Sequence, residues 1–349
     1  MANTYSSTVL NNARLWQLDT MKEKFDQRAD ISQVYKCFED GQRFIPDLEK
    51  IKAAYVQTEQ TMYLPNKNFT LGTAKSCTVT GETGSSAVVA LTWAQLNFNV
   101  LVQHKKYQNN ELGLIKALAN DMYQGERSLW KGSTGMEALM VAYLNTNRTY
   151  VNALSAGTSG TKNSWSGAAN YYVEVTNANR GQFWNYMRAD MEYNDYEGKL
   201  WDIGNTWFGA DMNYYAAQGQ GNSTNTAFQF SNSEIEFLKT TKIAPSGYHD
   251  SIHYIVPEGG VASLFWNDPL NRKGENIGDK AWFTMESMMY PGVYYDVFKT
   301  LACSDTSADG GSTQDLVENY EFTLNYSFTK QPLSTTNETP IYKYNILSS

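Results

Sequence analysis

An alternating strand that runs almost directly into a long amphipathic helix constrains this chain more than any other feature. Within a turn-rich stretch over 69–104, Thr92, Ala94, Leu96, Phe98, Val100 and Val102 fall on one side of an extended chain, and Gln95, Asn97, Asn99 and Gln103 on the other. That period of 2 predicts a half-buried strand. From Glu111 to about Val151 the apolar positions Leu112, Ile115, Ala119, Met122, Leu129, Met136, Met140, Tyr143 and Val151 recur near period 3.6, which predicts a helix. About 40 helical residues would span about 60 Å, longer than a compact domain needs. Gly125, Gly132 and Gly135 each cost about 1 kcal/mol relative to Ala inside a helix, so a bend or break is expected near 132–135 and the helix reads as two pieces in line.

Ahead of this pair lies an arm. Residues 7–27 read as an amphipathic helix with Ser7 as N-cap and Leu10, Leu18, Met21 and Phe25 on one face. Pro46-Asp47 opens a second helix with Leu48, Ile51 and Tyr55 inward. Thr-Gly-Glu-Thr-Gly-Ser-Ser over 80–86 is a natural hairpin tip. Beyond the helix, 155–170 reads as a Gly/Ser/Thr/Asn-rich loop. Strands are expected at about 171–176, 199–203, 227–230, 252–256, 281–287, 318–329 and 341–346. Helices are expected from near Asn177, at 206–217 and at 259–267, and a loop at Ser304–Thr313. The fold class is α+β.

Charge and cysteine usage exclude several functions. The net charge is -8, and no Lys/Arg cluster forms a nucleic-acid footprint. Cys37, Cys77 and Cys303 are odd in number and far apart, which fits free thiols rather than a disulfide framework or zinc site. There is no signal-peptide pattern at the N-terminus and no apolar run of membrane-spanning length. The 24 tyrosines and 9 tryptophans, with charged content of only 18%, suit either a large core or extensive subunit contacts.

Catalytic motifs are weak. His249 and His253 lie four apart as in an HExxH zinc helix, but Asp250 replaces the Glu and the flanks read as strand. Asp190, Glu192, Asp195 and Glu197 cluster among aromatics as a glycosidase carboxylate pair would, or form a solvated helix end and turn. Asp305 and Asp309 lack the ligand alternation of an EF-hand. No phosphate loop, dinucleotide fingerprint or nucleophile elbow is present. No catalytic, cofactor-binding or metal site is assigned, and the chain is not read as an enzyme.

The order of these segments resembles the HK97-fold major capsid proteins of tailed bacteriophages. On that resemblance, 1–65 is an N-terminal arm and 66–92 the extended loop with its tip at Gly81–Ser86. Residues 93–177 and 301–349 form the peripheral domain with its spine helix over 111–151, and 178–300 form the axial domain. Tyr254–Trp266 resembles the axial strand-to-helix step of some shell proteins. The resemblance implies a self-assembling subunit, made in the host cytoplasm and located in the virion, that forms hexamers and pentamers around double-stranded DNA without reading its sequence. It implies a separate scaffold protein, a portal and decoration proteins as partners, and no cofactor or membrane. Gly81, Glu82, Thr83, Gly84 and Ser85 at the loop tip, and Leu10, Leu18 and Phe25 on the arm, are the inter-subunit contact candidates. The alternatives are a carbohydrate-binding or glycoside-hydrolase-like protein, and another phage structural part such as a tail or portal-adjacent protein.

Overall fold

The computed structural model describes residues 9–17, 31–45, 48–54, 60–63, 87–103, 110–148, 160–163, 172–177, 180, 183–193, 196, 198–211, 235–305, 314–331 and 341–348. Helix α1 covers 9–17, α2 Val34–Asp40 and α3 Leu48–Ala53. Strand β1 (Gln60–Tyr63) pairs antiparallel with β2 (Ala87–Ala90), with Gln60 opposite Ala90 and Tyr63 opposite Ala87. Residues 64–86 are bracketed by this ladder, and the expected loop tip lies outside the described residues.

The expected strand is β3 (Ala94–Gln103). It keeps its alternation, with Val100 and Val102 buried and Gln95, Asn97, Asn99, Leu101 and Gln103 exposed. The helix is two pieces. α4 (Glu111–Lys131) starts where the Asn110 side chain accepts from Gly113 N at 2.9 Å, and α5 runs from Met136 to Asn147. Gly132 and Gly135 make the break: a Cβ on Gly132 would sit 2.2 Å from the Ser128 carbonyl oxygen, and one on Gly135 2.6 Å from that of Leu129. Gly125 has another role. It lies inside α4, and a Cβ there would fall 2.3 Å from the Phe98 ring, so its missing side chain lets the helix settle directly on β3.

The first sheet runs β10-β11-β12-β13-β3, with β10 at Asn276–Ile277, β11 at Lys280–Glu286, β12 at Tyr294–Asp305 and β13 at Gln314–Lys330. β9 (Val261–Trp266) also pairs with β13. Asn325 and Tyr326 pair with both β3 and β9, so β9 continues the edge along which β12 ends. The second sheet runs β4-β5-β14-β8-β6-β7: β4 is Gly160–Asn163, β5 Tyr172–Val175, β6 Leu200–Gly204, β7 Ile235–Lys239, β8 His249–Pro257 and β14 Tyr342–Leu347. One face of it packs on α6 (Phe183–Tyr193), joining Val173, Phe183, Met187, Ile255 and Tyr344 in one cluster. Trp201, Ile203 and Tyr254, on its other face, belong to the main core with Met136 and Met140 of α5 and Val100 and Phe322 of the first sheet. Apolar faces of both sheets thus drain into one core containing the interrupted helix. A short helix α7 follows β6 at 206–211.

Several expectations need correction. Residues 259–267 are the strand β9, not a helix, so Tyr254–Trp266 is a strand-turn-strand step. All six residues of β9 are buried, and a short continuous apolar run has no period by which to tell helix from strand. The turn, with Gly259 at φ 78° and Gly260 N donating to Pro257 O at 2.9 Å, sends the chain from the second sheet into the first. β12, β7 and β4 were not expected, and Ser304 and Asp305 are strand. The division at 300/301 falls inside β12. β9, β11 and β12 pair in the sheet of β3, whereas β14 pairs with β5 and β8. The expected strand at 227–230 lies outside the described residues.

Candidate functional site

The contact candidates of the 64–86 segment begin at the elements that flank it. Ile45, Ile51 of α3, Leu91 after β2, and Ala262 and Leu264 of β9 form a small separate core, with Trp93 packed against it. Trp93 meets Trp266 at 6.4 Å between ring centres. Trp266 Nε1 and the Arg272 guanidinium both donate to the Ala54 carbonyl, at 2.8 and 2.7 Å, and Arg272 also reaches Lys52 O at 3.1 Å. Two donors on one terminal carbonyl fix the end of α3 on β9 and on helix α8 (Pro269–Lys273). The ladder that brackets residues 64–86 therefore follows a clamped element.

The interrupted helix carries two buried carboxylates. Glu126 of α4 accepts from Gln17 Nε2 of α1 at 2.6 Å, from Tyr295 Oη of β12 at 3.1 Å and from the Ser287 hydroxyl. Burial raises its pKa, and these hydrogen bonds oppose the rise. Glu137 of α5 accepts from Lys131 Nζ across the break and from Thr240 Oγ1 beyond β7, each at 2.5 Å. Asn145 Oδ1 accepts from Tyr254 Oη of the second sheet at 2.7 Å, and Tyr143 meets Phe328 of the first at 5.4 Å. The break lets one helical run serve both sheets.

Of the contact candidates, only Leu10 is described. It is 3% exposed inside the main core, so α1 presents it to this chain and not to a neighbour. Gly81, Glu82, Thr83, Gly84, Ser85, Leu18 and Phe25 lie outside the described residues. The carboxylate cluster is not assembled as a hydrolytic pair: Asp190 is buried and accepts from Tyr344 Oη at 2.9 Å, Glu192 is exposed and pairs with Arg188 at 2.7 Å, and Asp195 and Glu197 lie outside the described residues. Asp305 ends β12, and Asp309 is not described. Cys37 is a buried free thiol. No group of three His, Cys, Asp or Glu among the described residues could hold a metal ion, and no described helix is long and apolar enough to cross a membrane.

His249 and His253 lie on β8, as their flanks imply. His249 Nε2 meets Glu174 at 2.8 Å. His253 forms a chain that the sequence reading missed: Nδ1 lies 3.2 Å from Asp202 Oδ1, and Nε2 3.0 Å from Ser251 Oγ. These are the residue types and order of a hydrolase triad. All three are 0% exposed, and Phe183 and Phe208 lie against the imidazole at 4.7 and 3.9 Å. No face of Ser251 is open to a substrate. The arrangement instead gives both ring nitrogens of His253 a buried partner, while Asp202 Oδ2 has none among the described residues. Burial raises the Asp202 pKa, outweighing the attraction of the imidazole. Ser251 and His253 alternate on one strand, but Asp202 reaches them only through the β6–β8 register, a pairing that no local spacing reveals.

No family model and no curated protein matches the chain. Solved structures similar to it include one of Mycobacterium phage Cain (TM-score 0.44, 12% identity, 95% of this chain and 97% of that chain). Another is from Gordonia phage Cozz (TM-score 0.44, 8% identity, 94% and 90%). A third is the capsid of a native GTA particle (TM-score 0.41, 9% identity, 93% and 94%).

Proposed function

We propose that this chain is the major capsid protein of a tailed-bacteriophage-type shell, assembling as hexamers and pentamers around double-stranded DNA. One observation carries the reading. The β1–β2 ladder brackets residues 64–86, β3 follows it, and an interrupted helix then joins two sheets through one core. In this reading 64–86 is the loop that crosses onto the next subunit, and α4 on the β3 sheet is the peripheral part. The second sheet with α6 is the axial part that meets its copies around a symmetry axis. Function is mechanical: modest contacts, repeated in a closed shell, sum to a large stability. A net charge of -8 suits a wall that contains DNA without gripping it. The reading assigns no catalysis, places the chain in the virion, and calls for a scaffold, a portal and decoration partners.

Expression alone and with a scaffold protein encoded beside it, followed by size-exclusion and negative-stain imaging, tests the proposal. Rings or shells are expected. A small monomer that never assembles, even with scaffold, overturns it. Deleting Gly81–Ser86 should leave a soluble fold that builds no shells; normal shells from that variant overturn the loop assignment.

A further inference from the structure

The first sheet has a second face, turned away from α4, that neither the core nor the proposed shell contacts use. β13 presents Asn319, Glu321, Thr323 and Asn325 there, and the register places them opposite Leu101, Asn99, Asn97 and Gln95 of β3. α8 lies across β11 and β12 on this side, fixed by Asn271 Nδ2 donating to Phe283 O at 3.0 Å and Val297 O at 2.9 Å. Between α8 and β3 is an open groove of about 440 Å³.

Its floor is built in two parts. Trp282 and Phe298, directly opposite in register, lie 5.1 Å apart at 30° and make an aromatic shelf. Beside them a polar chain crosses three strands: Gln95 Nε2 donates to Asn325 Oδ1 at 2.7 Å, and Asn325 Nδ2 donates to Asp296 Oδ2 at 2.8 Å. Asp296 also accepts from Asn267 Nδ2 and Asp268 N, each at 2.9 Å.

The charge balance is one-sided. The amide donors of Gln95, Asn325 and Asn271 are turned to neighbouring oxygens. Asp268 uses Oδ1 to cap Leu270 N at 2.8 Å, and Glu321 uses Oε1 to accept from Asn97 at 3.2 Å; the second oxygen of each has no partner among the described residues. Asp268, Asp296 and Glu321 form no ion pair among the described residues, and no Lys or Arg lines the groove. Arg272, on the same helix, turns its guanidinium to the carbonyls of Lys52 and Ala54. This groove offers spare acceptors, concentrated negative charge and an aromatic face, which is the complement of a cation that only donates.

We propose that this groove docks an arginine- or lysine-bearing segment of a partner polypeptide, its cationic head over Trp282 and hydrogen-bonded by Asp268 and Glu321. The partner is a different, basic chain rather than a second copy, because this sequence carries no Lys/Arg cluster to supply such a segment. The inference does not rest on the capsid reading.

The test is fluorescence anisotropy of a labelled Gly-Arg-Gly-Arg-Gly peptide with the full chain at low salt. Binding is expected to weaken with salt, and to weaken at least about tenfold with the citrulline counterpart and in the variant Asp268→Asn/Glu321→Gln. Asn retains the cap on α8, so this variant is expected to fold, and Trp282→Ala gives an independent second loss. Glu192→Gln/Asp279→Asn, with the same charge change elsewhere, should bind as wild type. No binding by wild type, equal loss in that control, or citrulline binding as well as arginine overturns the proposal. So does a groove variant that alters self-association and leaves peptide binding unchanged.

Discussion

Trp130 on α4 donates its indole N–H to the hydroxyl of Tyr295 on β12 at 2.8 Å, and that hydroxyl reaches Glu126 at 3.1 Å. Both rings are buried, and the pair joins the helix to a strand far along the chain. Tyr295→Phe removes the acceptor for Trp130 and a donor to a buried carboxylate. It should lower unfolding stability in urea by about 1–3 kcal/mol. A change within a few tenths would show that water or another partner replaces the hydroxyl.

Gly125→Ala gives a sharper test of how α4 meets β3. In an isolated helix the change would add about 1 kcal/mol. Here the new Cβ falls 2.3 Å from the Phe98 ring, itself stacked on Phe322 at 4.8 Å, so overpacking costing about 1–3 kcal/mol opposes the gain. Net destabilisation in thermal or denaturant unfolding is expected, and stabilisation would mean that helix and sheet stand further apart.

Asp296 supplies a pH signature. Burial lifts its pKa to about 6, against the hydrogen bonds from Asp268 N, Asn267 and Asn325 that favour the charged form. A folded-state pKa above the unfolded value of about 3.9 means that the carboxyl contributes stability at low pH and loses it as pH rises through about 6. The stability of wild type minus that of Asp296→Asn, followed by denaturant titration, should therefore fall by about 1–3 kcal/mol between about pH 4 and pH 7. A difference that is flat or rises with pH contradicts the burial of this group.

Ser251→Ala should cost about 1–3 kcal/mol, because His253 Nε2 loses its buried partner, and should change no hydrolytic activity. A fluorophosphonate probe should leave Ser251 of the folded wild-type chain unlabelled by mass spectrometry. Labelling there would reopen the hydrolase reading.

Local chemistry made part of this fold legible in advance. The alternation of β3, the helix after it, the break at Gly132 and Gly135 and the opening of α3 after Pro46 each depend on neighbours within a few residues, where side-chain period and backbone freedom act directly. The second face of the first sheet was half legible: the polar positions of β3 were plain, but the aromatic shelf and the carboxylates come from strands whose pairing no spacing encodes.

Tertiary structure alone decided the rest. Val261–Trp266 is a strand because β13 supplies its hydrogen-bonding partner and both its faces are covered, conditions absent from the six residues themselves. β14 joins the second sheet through β5 and β8, partners distant in sequence. Asp202 meets His253 for the same reason. Sequence sets what each segment can form; which faces are buried, and which side chains meet, follows from nonlocal strand pairing, whose free energy appears only once the segments are together.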